Sequence, residues 1–157
     1  MSFKDEHREF QELVRELFWL RDHNKKFGPD DPQNDYLLMS EAAMTVIALE
    51  RFLRMVLGAE ATDQDTLPNL LEKATSARLG LLVLPPMRRE ALISAIKDIR
   101  NTTLHGNYEQ AARQSGCTTV AEYFKTQFAS EVERVYEITD DLVNQIDPET
   151  GKPKGAR

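Results

Sequence analysis

Every long apolar segment of this chain repeats at steps of three and four residues, and no segment sustains a two-residue alternation. That single feature excludes a sheet and leaves helices packed by their stripes. Phe10, Leu13, Leu17 and Leu20 form the stripe of a helix over residues 3–26. Leu38, Ala42, Val46, Leu49, Leu53 and Val56 form that of a second over 35–57, which Met44, Ala48, Phe52 and Met55 widen. A stripe so wide predicts a helix buried on two sides. Phe124, Phe128, Val132, Val135, Thr139, Leu142 and Ile146 mark a last long helix.

Between these stripes the punctuation falls in clusters. Gly28-Pro29-Asp30-Asp31-Pro32 predicts a stiff loop, and Gly58 a helix stop. Thr66 caps a third helix, with Pro68 in its first turn and Gly80 as its stop. Leu81-Leu82-Val83-Leu84 reads as a buried connector, and Pro85-Pro86 opens a fourth helix that runs to about Leu104. Gly106-Asn107 marks its end, a short helix spans 108–115, and Thr119-Val120-Ala121-Glu122 is a capping box. The expected fold is an all-α bundle of four to five main helices plus the short one. Residues 1–146 make one domain, and 147–157, rich in Pro, Gly and basic residues, a mobile tail.

A length of 157 residues, with 41% apolar and 29% charged, suits one globular core. The lone Cys117 rules out an internal disulfide and reads as a packing residue. No apolar run reaches membrane-spanning length, and the charged start, Met1 to Glu6, lacks a signal-peptide core, so a cytoplasmic protein without membrane contact is expected. A net charge of -6 argues against broad DNA binding but leaves room for a local nucleic-acid site. No phosphate loop, dinucleotide fingerprint or Glu-x-x-His pair occurs, and the three His are far apart, so no cofactor and no metal are expected. His7, His23 and the Arg88-Arg89 pair read as ordinary solvated residues.

One segment departs from this pattern: Ile99-Arg100-Asn101-Thr102-Thr103-Leu104-His105-Gly106-Asn107-Tyr108. At about 100° per residue, Arg100 falls roughly 20° from Ile93 and roughly 40° from Ile96, near the middle of an apolar face. A guanidinium there needs a partner. Either it is salt-bridged to a core carboxylate, Glu41 or Glu50 of the second helix, or it points into a cleft or subunit interface to bind an anion. His105 stands about 140° from Arg100 in a continuous helix, too far to converge. Termination at Thr102-Thr103 and Gly106 would let it swing back. Together an Arg and a His suffice to cleave RNA through its own 2′-hydroxyl: the His moves the proton, and the Arg stabilises the phosphoryl oxygens. One His cannot be base and acid in the same step, which calls for a two-fold homodimer bringing two pairs together.

Arg100, Asn101 and His105, with four residues between Arg and His and Gly106 following, resemble the catalytic motif of the HEPN superfamily (higher eukaryotes and prokaryotes nucleotide-binding domains). Ala42 to Leu57, with Leu49-Glu50-Arg51-Phe52-Leu53, looks like the long buried helix of such domains. The resemblance implies a domain dimerising through its motif helices and a metal-independent endoribonuclease leaving cyclic phosphate ends. Arg100 and His105 would be catalytic, with Asn101, Glu50, Glu41 and Tyr108 in support. Many members serve in toxin–antitoxin or antiviral defence systems, with an antitoxin or defence protein as partner. One branch carries a Tyr two residues after the His, as a target of a partner nucleotidyltransferase; here Tyr108 is three residues after it. Other members are noncatalytic interaction or assembly modules, the rival reading for this chain. A helix-turn-helix DNA binder is a third, disfavoured by the acidic charge and the long connector before the fourth helix.

Overall fold

The computed structural model describes residues 2–26, 31–105 and 108–155; of residues 32–34, 36, 104 and 105 it describes the backbone only. Among these residues the chain is helical, and the only strand-like pairing is a single antiparallel bridge between Ile146 and Pro153. The helices are α1 (Phe3–Asn24), α2 (Pro32–Leu57), α3 (Leu67–Thr75), α4 (Pro86–His105), α5 (Tyr108–Gln114), α6 (Val120–Tyr123) and α7 (Ala129–Val143). Of the loop expected over residues 28–32, residues 28–30 lie outside the described residues, as does the stop expected at Gly106-Asn107; Pro32 already opens α2, three residues before the helix start expected at 35.

α2 is the axis of the bundle and packs against α1, α3, α4 and α7. Its wide stripe explains this: Ala42, Ala48, Leu49, Phe52 and Leu53 are all essentially inaccessible. Phe10 of α1 meets Phe52 with ring centroids 5.7 Å apart. The helix starts follow their caps. Ser2 Oγ accepts from Asp5 N, and Thr66 Oγ1 accepts from Asn69 N with Pro68 in the first turn. α3 stops at Thr75, five residues before Gly80; the backbone of Leu82 instead returns to Ala74 O at 2.9 Å.

Three local expectations need correction. Of the 81–84 connector only Leu82 is buried, and Val83 is 76% exposed. Its backbone is held by the Gln145 amide, which accepts from Val83 N at 2.8 Å and donates to Val83 O at 2.9 Å. The last helix is also not continuous α. A π-helical turn, Phe124–Phe128, separates α6 from α7. The wider turn lets the neighbours Tyr123 and Phe124 both enter the core with Phe128. At its start Thr119 Oγ1 accepts from Glu122 N, but the Glu122 carboxylate reaches back to Thr118 rather than Thr119. Finally, residues 147–155 are held rather than trailing free. Asp147 N donates to Lys152 O and Lys154 N to Gln145 O, both at 2.8 Å, and Lys4 pairs with Glu149 at 3.1 Å. Gly151 closes this turn at φ +73°, where a Cβ would lie 2.7 Å from the Phe3 ring.

Candidate nucleic-acid site

α4 carries the Arg-to-His segment and packs on α7, α2 and α5. Its buried side is Leu92, Ala95, Ile96, Ile99 and Thr102. That arc centres near Leu92 and Ile99, so Arg100 stands about 100° off its middle. Arg100 is exposed, not buried on the apolar face. The expectation misplaced the arc by weighting Ile93, which is only half-buried. Ala95 and Thr102, too small or too polar to be read as apolar landmarks, face the core instead. Thr102 is accommodated because its hydroxyl meets the buried Tyr123 hydroxyl at 3.0 Å.

The salt bridge from Arg100 to a core carboxylate also fails. Glu41 is buried and belongs to Arg21 of α1, which donates to it at 2.9 Å and to Glu133 at 2.9 Å. Asn24 Nδ2 donates to the other Glu41 oxygen at 3.2 Å, and the Arg21 guanidinium lies 3.6 Å over the Tyr136 ring. Burial nevertheless holds the Glu41 carboxyl above its ordinary pKa, with Arg21 and Asn24 pulling the other way. Glu50 pairs with Arg54 of its own helix at 3.3 Å. The half-buried Tyr108 packs on Phe124, centroids 5.6 Å apart. Thus the structure does not bring Glu41, Glu50 or Tyr108 to Arg100.

What α4 does present is a cationic strip. Arg89, Ile93, Lys97 and Arg100 follow one another at steps of four, four and three, along one side of the helix. Arg8, Arg15, Arg21, Arg51, Arg54, Arg78 and Arg88 each face a carboxylate at 3.8 Å or closer. Among the described residues Arg89, Lys97 and Arg100 have no such partner; Arg113 of α5 and Arg134 of α7 also lack one, so what marks the strip is three such cations along one side of one helix. The sequence signal for this strip was the spacing from Arg89 onward; reading Arg88-Arg89 as one pair hid it, since only Arg88 is paired, to Asp141 at 2.7 Å.

Asn101 is exposed and His105 is the last residue of α4. The His105 side chain lies outside what is described, but the helix runs unbroken to it, so its position stays about 140° round the axis from Arg100. Asn101 lines a cleft against α5, and the backbone position of His105 is one helical turn further on. Within one chain Arg100 and His105 therefore occupy different sides of the same rod.

A second feature escaped the sequence reading. Glu131 of α7 sits against Asp98 of α4, and its pKa is pushed up to about 8, first by burial and then by Asp98. Its Oε2 is buried and meets no donor among the described residues. A proton on this carboxyl resolves both facts, since the two acids then bond to each other. Nothing in the helical periodicity marks such a cross-helix pair.

Among the described residues no three His, Cys, Asp or Glu gather as a metal site, and no helix is long and apolar enough to cross a membrane. No family model, curated protein or solved structure matches the chain.

Proposed function

We propose that this chain is a metal-independent endoribonuclease of the HEPN type, acting as a homodimer in a toxin–antitoxin or antiviral defence system. The observation that carries the reading is the strip of cations without acidic partners, Arg89, Lys97 and Arg100, on the helix that bears the Arg-to-His spacing, in a chain of net charge -6. An acidic protein that sets three cations without acidic partners along one side of one helix has a local anion-binding face. The angular separation of Arg100 from His105 supports a composite site: Arg100 of one copy serves beside His105 of the other when two α4 helices pack across a two-fold axis.

In this reaction one His105 takes the proton of the ribose 2′-hydroxyl, and the resulting oxygen attacks the adjacent phosphorus. The bond from phosphorus to the 5′-oxygen breaks, and the second His105 of the dimer returns a proton to that leaving oxygen. The products are a 2′,3′-cyclic phosphate and a 5′-hydroxyl. Arg100 forks onto the phosphoryl oxygens as their charge grows.

The test is cleavage of a mixed-sequence RNA by purified protein with chelator present, alongside sedimentation. Expected are a dimer, cyclic phosphate ends, and a loss of about 10²–10⁴-fold in rate for His105→Ala. Equal inertness of wild type and His105→Ala on varied RNAs, with the same proteins bound, would replace the nuclease by a noncatalytic interaction module.

A further inference from the structure

Beside the motif, on the α5 side of α4, lies a cleft of about 520 Å³, a size that takes a small organic ligand. Its walls are amide-rich: Asn101 of α4 faces Gln110 and Gln114 of α5, with Ser115 at the rim. Lys97 and Asp98 bring one charge of each sign. The floor is closed by the Thr102–Tyr123 hydroxyl pair, which satisfies itself and asks nothing of a ligand. Behind Asp98 stands Glu131.

We propose that this cleft holds an RNA base, guanine in particular, from the nucleotide next to the bond that is cut. The inference rests on the nuclease reading for its placement: Asn101 lines the cleft, and the backbone position of His105 is one helical turn further on. The chemistry of the walls carries the rest. Amide side chains present a donor and an acceptor side by side and match base edges bidentately. A phosphate fits poorly, because Lys97 brings the lone positive charge to these walls and Asp98 a negative one. Guanine offers two donors, N1–H and N2–H, to a carboxylate such as Asp98, and its O6 accepts from Lys97 or an amide. Adenine and uracil lack that pair of donors. Unstacked bases of single-stranded RNA are read by hydrogen bonds of this kind. A proton shared between Asp98 and Glu131 leaves one negative charge at the cleft rather than two, which eases the approach of a nucleotide.

Two measurements test this and keep it separable from the nuclease reading. In the first, the side-chain amide signals of Asn101, Gln110 and Gln114 are followed by NMR during titration with GMP, AMP, CMP or UMP. GMP is expected to shift them at concentrations at least about tenfold below the others, and Gln114→Leu and Asp98→Asn to weaken that response. In the second, cut positions are mapped on an RNA containing all dinucleotides. Cuts are expected beside guanine, with the preference reduced about tenfold by Asp98→Asn. GMP binding without any cleavage would overturn the nuclease and retain a nucleotide site. Cleavage that ignores base identity, in wild type and variants alike, would overturn the guanine cleft and retain the nuclease. Absence of both GMP shifts and base preference, or occupation of the cleft by a protein segment instead, would also overturn it.

Discussion

Arg21 and Arg100 are the same side chain in opposite circumstances. Arg21, between α1, α2 and α7, is 11% exposed, forks onto Glu41 and Glu133, and lies over Tyr136. Arg100 is exposed on α4, with no carboxylate against it among the described residues. The charge of the first guanidinium is already answered by two carboxylates of its own fold. The second keeps its donors available, which is the condition for gripping a phosphate. Burial and a charged pattern alone are thus poor guides to function; what matters is whether the fold has already answered the charge.

The comparison can be broken most forcefully at its buried end. Arg21→Ala strands the Glu41 carboxylate in the core, and breaking such a pair costs about 3–5 kcal/mol. Denaturant unfolding should show that loss, while cleavage per folded molecule stays close to wild type. A loss of cleavage with stability intact would mean that Arg21, not Arg100, is the functional guanidinium.

Arg100→Ala should do the reverse. Removing one transition-state donor lowers the cleavage rate about 10²–10³-fold, with unfolding changed by no more than about 0.5 kcal/mol, as for an ordinary surface site. Arg100→Lys should recover little, because an ammonium cannot make the bidentate fork. Should Arg100→Ala chiefly unfold the chain, the contrast between the two arginines collapses.

A subtler test uses the acid pair behind the motif helix. Glu131 is raised from 4.5 to about 8 by burial and then by Asp98, so the folded chain keeps a proton that the unfolded chain gives up. Its contribution to stability is complete below pH 4.5 and is lost as pH rises towards 8 and beyond. Glu131→Gln, neutral at every pH, should flatten the fall of the thermal midpoint over that window. An unchanged slope would show that the Glu131 carboxyl is solvated, and that α4 and α7 meet without a shared proton.

Helices, their caps and the central place of α2 were legible in the chain because they depend on neighbours three and four residues apart. Thr66 and Thr119 cap from their own side chains, and the α2 stripe needs no knowledge of which helices cover it. The Arg-to-His spacing was equally local. Whether Arg100 is buried was not, because a helix wheel gives angles without saying where the core lies. α2 and α7 pack on the Leu92–Ile99 side of α4, admit Ala95 and Thr102, and leave Ile93 at the margin. That choice turned Arg100 outward by about 100° and allotted Glu41 to Arg21, twenty residues away in sequence. The π-helical turn, the Gln145 clasp on Val83, and the meeting of Asp98 with Glu131 share this character. Local periodicity decides which residues lie on one face of a helix. Only packing between distant helices decides which face is covered, and therefore which charges are answered within the protein and which remain for a ligand.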